Sequence, residues 1–217
     1  MPSKWIQKGG LAKFTGHCDI ADKISAIKLF IIFCIKMEHG KDGRFTCSLT
    51  YEQLTDLASL SRSSIRKGIV FLESQGIIYS EGVKSKRYIV NNVGVGGWCK
   101  LPMKPLMINC DEIEPFKILF NRYEHELNSL KLYLYLLSVR DNESFFSEVT
   151  VGTINIRTGI PVRGVRRAFS FLQTLGLLDS AEEVISGTCV VSPTREQETL
   201  FRFLITCGPD LVFKRYK

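Results

Sequence analysis

The stretch "SLSRSSIRKGIVFLESQGII", Ser59 to Ile78, combines a buried stripe with a basic face. Ile65, Ile69 and Leu72 follow the i, i+4, i+7 spacing of one apolar line along a helix. Arg62, Ser63, Arg66 and Lys67 fall elsewhere around the wheel and point outward. Ser61 is a natural N-cap and Gly76 a natural stop, so the spacing predicts a helix from Arg62 to about Gln75. Upstream, Thr50 and Gln53 have the spacing of a capping box, opening a helix from Tyr51 to about Ser59 that turns Leu54, Leu57 and Ala58 inward.

The same pattern returns 100 residues later. "LTYEQLTDLASLSRSSIRKGIVFLESQGII" (Leu49–Ile78) lies without a gap over "VTVGTINIRTGIPVRGVRRAFSFLQTLGLL" (Val149–Leu178). Leu54 falls on Ile154, Ile65 on Val165, Arg66 on Arg166, Lys67 on Arg167, Leu72 on Leu172 and Gly76 on Gly176. Pro161 takes the place of Ser61, where a missing N–H is tolerated at a helix start. The likeness extends upstream, since "SAIKLFIIFCIKM" (Ser25–Met37) matches "SLKLYLYLLSVR" (Ser129–Arg140). The first of these is apolar on most of its circumference and suits the centre of a small bundle; it stops at the turn residues of "EHGKDGR". The chain therefore divides into two copies of one module, residues 1–96 and 97–217, joined through the glycine-rich "NNVGVGGWCKLP" (Asn91–Pro102).

After each helix-ending glycine the pattern changes period. "IIYSEGVKSKRYIV" (Ile77–Val90) is an apolar strand, a basic polar loop and an alternating strand, which together make a hairpin. Helix, helix, turn, helix and hairpin resemble the winged-helix family over most of both halves; the most specific part is "TYEQLTDLASLSRSSIRKGIVFLESQGII". The expected fold is thus α+β, mainly helical: two tandem winged-helix domains, each a three-helix bundle with a hairpin wing.

That resemblance implies binding to double-stranded DNA. An exposed basic face is most often simply solvated, but three features argue for a ligand. The charges cluster at the N-terminal half of the helix that such folds insert in the major groove. Ser63 and Ser64 are small enough to allow close approach and can contact phosphates or base edges. The hairpin loop adds Lys84, Lys86 and Arg87, where a wing would meet the backbone. Arg62 and Arg66 are candidates for bidentate guanine contacts, and Lys67, Lys84, Lys86 and Arg87 for phosphate contacts.

Charge supports the first half more than the second. The whole chain is +7; residues 1–96 hold 14 Lys+Arg against 8 Asp+Glu, and residues 97–217 hold 15 against 14. The second module presents Arg163, Arg166 and Arg167, yet its hairpin region carries Asp179, Glu182, Glu183, Glu196 and Glu198. Two roles stay open for it: a DNA-binding helix with its wing turned away, or a dimerisation surface. "TLFRFLIT" (Thr199–Thr206) offers a strand for pairing between subunits, or one buried in its own core, and Lys214, Arg215 and Lys217 offer a non-specific contact.

Other classes find little support. Seven scattered cysteines without a C-x-x-C pair read as reduced thiols of a cytosolic protein, with neither a disulfide frame nor a metal site. The N-terminus lacks a signal-like apolar run, and "IKLFIIFCI" is too short to cross a bilayer. Gly94, Gly96 and Gly97 do not form a phosphate-binding fingerprint, so no nucleotide or other cofactor is expected. His17, His39 and His125 match no catalytic motif; "HCD" at His17–Asp19 reads as the start of a helix, and Asp111, Glu112 and Glu114 as charges suited to a helix N-terminus. No small-molecule substrate is evident. The expectation is a transcriptional regulator, not an enzyme, with a plasmid or phage replication initiator and a protein-interaction scaffold as alternatives. A homodimer would read an inverted or direct repeat.

Overall fold

Caps and glycines fix where the helices begin and end. The computed structural model describes residues 1–15, 19–40, 44–82, 86–91, 96–107, 112–140, 146–184 and 200–206, and is mainly helical α+β with small antiparallel sheets. The first half runs α1 (Lys4–Gln7), a 3-10 turn (Gly10–Phe14), α2 (Ile20–Lys36), β1 (Glu38–His39), β2 (Phe45–Cys47), α3 (Tyr51–Ala58), α4 (Arg62–Ser74), β3 (Ile78–Glu81) and β4 (Arg87–Val90). The second runs α5 (Met103–Leu106), α6 (Glu114–Ile118), α7 (Glu124–Val139), β5 (Phe146–Thr150), α8 (Val151–Thr158), α9 (Val162–Thr174), β6 (Leu178–Val184) and β7 (Leu200–Ile205).

The capping box is present: Thr50 Oγ1 accepts from Gln53 N–H at 3.2 Å, and Gln53 Oε1 accepts from Thr50 N–H at 2.9 Å. Gly76 and Gly176 stand at φ +65° and +68°. There the N–H groups of Ile77 and Leu177 reach back to the carbonyls of Leu72 and Leu172, both at 3.0 Å, closing the two helices in the same way. Asp19 caps α2 through Ala21 N–H at 3.2 Å, while His17 and Cys18 lie outside the described residues.

The sheets have the orders β1-β2-β4-β3 and β5-β7-β6. In each half the strand that precedes the helix pair therefore lies against the last strand. This corrects one expectation. β7 is the central strand of its sheet, with β5 on one side and β6 on the other, so it has no open edge for a second subunit. Phe203 is buried there and Phe201 half-buried.

The repeat does not disclose how the halves meet. Helices α2 and α7 pack on one another, and the apolar core runs through both halves without a break. The short segments ahead of them cross over. The α1 and 3-10 segment of the first half packs on α7 and α8, and α6 of the second packs on α3. Gln7 Nε2 donates to Ser138 O across this junction. Lys28, fully buried on α2, donates to Ala58 O at 2.9 Å and to Phe116 O of α6 at 3.0 Å, with its ammonium 5.2 Å from the Phe116 ring.

Helix α4 is drawn close to α2 at Gly68. A Cβ there would stand 2.8 Å from Leu29 Cδ1 and 3.0 Å from backbone atoms of Ala26 and Ser25. At the matching point Ala168 is accommodated, its carbonyl accepting from Ser129 Oγ at 3.1 Å. Gly68→Ala is expected to destabilise the protein by about 1–3 kcal/mol through overpacking, despite alanine's better helix propensity. Chemical denaturation measures it; a stabilised variant would show that the helices can part freely.

Burial pushes Lys28 down to about 7 from its ordinary 10.5, with Glu126 opposing the shift. Below pH 7 folded and unfolded chains both carry this charge, so the whole burial penalty is felt. Between about 7 and 10.5 the unfolded chain binds a proton that the folded chain does not, so this group makes stability rise with pH. Lys131, also buried and lowered to about 8, adds to the rise over a narrower window. Lys28→Met is expected to flatten the rise in denaturation free energy between pH 7 and 9.5 without abolishing it.

Candidate nucleic-acid interface

Ser61 Oγ accepts from Ser64 N–H at 3.2 Å and stands 3.0 Å from Ser64 Oγ, which starts α4 immediately before Arg62. Ile65, Gly68, Ile69 and Leu72 are buried against the bundle. Arg62, Ser63, Arg66, Lys67 and Val70 are exposed as a result. Arg62, Arg66 and Val70 succeed each other at i+4 and form one outward stripe. Ser64 is half-buried and its hydroxyl serves the cap, so Ser63 is the freer of the two serines. Lys67 Nζ leans to within 3.4 Å of Asp22 Oδ1 on α2.

Beside α4, Lys86 and Arg87 are exposed at the returning strand of the hairpin, with Arg87 opposite Glu81 in the register. Glu81 is engaged by Arg44 Nη1 at 3.1 Å. Lys84 lies outside the described residues.

On α9, Val165, Ala168 and Leu172 are buried and Arg163, Arg166 and Arg167 exposed, with Arg157 exposed at the end of α8. The second hairpin is described only in part. Asp179 is exposed and accepts from Thr206 Oγ1 at 2.8 Å, and Glu148 and Arg202 pair across β5 and β7. Glu196, Glu198, Lys214, Arg215 and Lys217 lie outside the described residues. Glu112 and Glu114 face Lys117 and form ion pairs with it at the start of α6; Asp111 is not among the described residues.

The stretch "LFNRYEHE" (Leu119–Glu126), ahead of α7, carries no helical or strand periodicity. Glu126 is fully buried, and its carboxylate accepts the N–H groups of Phe120, Arg122 and Tyr123, the last two at 2.9 Å. Phe120 is 71% exposed and Tyr123 41%. The Arg122 guanidinium carbon lies 5.6 Å from the Phe120 ring and 5.0 Å from the Tyr123 ring. His125 stacks on Tyr123 at 5.4 Å and meets Phe171 of α9 edge-on at 5.0 Å. Burial, followed by the charge of Arg167, lowers the His125 pKa from its usual 6.5. A loop with two aromatics around an arginine was the available signal; helical periodicity does not report on loops.

Among the described residues no group of His, Cys, Asp and Glu is placed to hold a metal ion, and no helix is long and apolar enough to cross a membrane. Cys34, Cys47 and Cys99 are buried free thiols; burial pushes Cys99 up to about 11 and Cys47 to about 12. No protein family, curated protein or solved structure matches the chain.

The cap that starts α4 is worth measuring because it sets where Arg62 stands. Ser61→Ala removes the acceptor for Ser64 N–H and is expected to lower stability by about 1 kcal/mol, read by thermal denaturation.

Proposed function

We propose that this chain binds double-stranded DNA in a sequence-specific manner through two winged-helix units, and acts as a transcriptional regulator in the cytosol. One observation carries the reading: Arg62, Arg66 and Val70 form an exposed stripe along α4, with Lys86 and Arg87 exposed on the hairpin that follows the helix. Each side chain has a use there. The guanidiniums of Arg62 and Arg66 suit the paired acceptors of guanine, Val70 suits a thymine methyl, and Lys86 and Arg87 suit phosphates. The order of elements supports this reading: in each half the strand just ahead of the helix pair lies against the last strand, an order that suits a winged-helix unit.

On this reading Arg163, Arg166 and Arg167 of α9 form the second reading surface. The unbroken core between the halves supports simultaneous engagement, since two helices held at a set spacing suit neighbouring half-sites. A plasmid or phage replication initiator is the second reading, favoured by the same rigid pairing, which suits repeated origin sites. Selection of bound genomic fragments followed by footprinting separates the two by where the sites lie. A protein-interaction scaffold would show no salt-sensitive retention on DNA.

On the selected site, Arg62→Ala and Arg66→Ala are each expected to remove about 1–3 kcal/mol of discrimination between specific and random duplex. Lys86→Ala is expected to weaken all duplexes alike and to reduce the salt slope by about 1. Unchanged preference in the Arg62→Ala, Arg66→Ala double variant would overturn the groove assignment.

A further inference from the structure

The loop ahead of α7 has side chains and backbone held in opposite ways. Its backbone is immobilised from below: Glu126 is fully buried and holds the N–H groups of Phe120, Arg122 and Tyr123, with Asn121 between them in the left-handed region at φ 60°. Its two rings are held away from the core, with Phe120 71% exposed in a protein that buries Phe14, Phe30, Phe33 and Phe116. A floppy loop could fold such rings inward, but one pinned by a buried carboxylate keeps them in water. An apolar surface held out in this way marks a contact.

The chemistry of the patch selects its occupant. Phe120, Tyr123, His125 and Phe171 form a continuous row of rings leading to α9, with successive centroids 5.0 to 6.1 Å apart. Arg122 spreads a cation over two of them, and Arg167 of α9 is near enough to lower the His125 pKa. Glu124, also exposed, is the adjoining acid. Flat faces alternating with guanidinium groups fit a ligand that has flat faces and a repeating anion, namely a strand of unpaired nucleotides. A duplex hides its base faces and would leave the rings unused. A purely apolar peptide would leave Arg122 uncompensated.

We propose that the Phe120–Tyr123 loop is a stacking platform for unpaired bases of a DNA strand, lying beside α9 and distinct from the surface of α4. This rests on the reading that the protein binds DNA, and adds single-stranded DNA to its ligands. Among the described residues the first half differs at the matching places: Asp19 caps α2 where Tyr123 precedes α7, and Ala21 stands where His125 meets Phe171.

The test uses the full chain and fluorescence anisotropy with three probes: a thymidine oligomer, an abasic oligomer of equal length, and the selected duplex. The wild type is expected to prefer the thymidine oligomer to the abasic one. Phe120→Ala and Tyr123→Ala change exposed side chains, and each is expected to weaken thymidine binding about tenfold or more, leaving abasic and duplex binding unchanged. Ile156→Ala, at a position 73% exposed on α8, serves as the control and is expected to change none of the three. Equal binding of the two oligomers, or thymidine binding unaffected by both loop variants, would overturn the platform. So would loss of self-association in place of strand binding, which would make the loop a protein contact. Duplex binding without strand binding defeats this inference alone, whereas strand binding without a preferred duplex defeats the proposed function alone.

Discussion

Two helices, α2 and α7, are apolar around most of their surface, and neither can be covered by the helix pair and hairpin of its own half. From Ile24 to Cys34, and from Glu126 to Ser138, every residue is buried. This constraint organises the rest. The two helices cover each other, the short segments ahead of them cross to the opposite half to cover what remains, and even the charged Lys28 is drawn in, satisfied by carbonyls from both halves. With both buried cylinders committed inward, α4 and α9 are left as the outer layer, each with one face packed and one free. The basic face is therefore available because the core is closed behind it, and the close approach at Gly68 sets how deeply α4 sits on that core.

How much of this was legible follows from the range of each interaction. Thr50 with Gln53, Ser61 with Ser64, and the glycine stops at Gly76 and Gly176 are contacts between residues a few positions apart, and the string of residue types displays them directly. The register between the two copies was legible for another reason: apolar positions in α4 and α9 must meet the same kind of neighbour. The crossing of the leading segments was hidden, because Phe116 meets Lys28 across 88 positions and no local pattern encodes that meeting. The pattern of Thr199–Thr206 predicts a strand but not a central one, since strand order depends on β5, which lies about fifty residues earlier. At the site, Arg62 and Arg66 were legible from their helical spacing. The ring cluster around Arg122 is not legible in the sequence, because its organiser, Glu126, reads as one more charge in a charged segment until its burial is known.

The two halves share a plan but differ in what they expose. Beside α4 the hairpin carries Lys86 and Arg87, and the sequence before α2, "TGHCD" (Thr15–Asp19), has neither Phe nor Tyr; the segment before α7 carries Phe120 and Tyr123, and the sequence of the second hairpin is acidic. Covalent joining of the copies makes this difference attainable. In a symmetric pair of identical subunits every substitution occurs twice, once on each side of the axis, so a ring or an acid useful on one side is imposed on the other. When both copies lie in one chain and close around one core, each exposed position is edited singly. One unit can keep its inherited surface while its twin takes on another, and the assembly still folds as a single body.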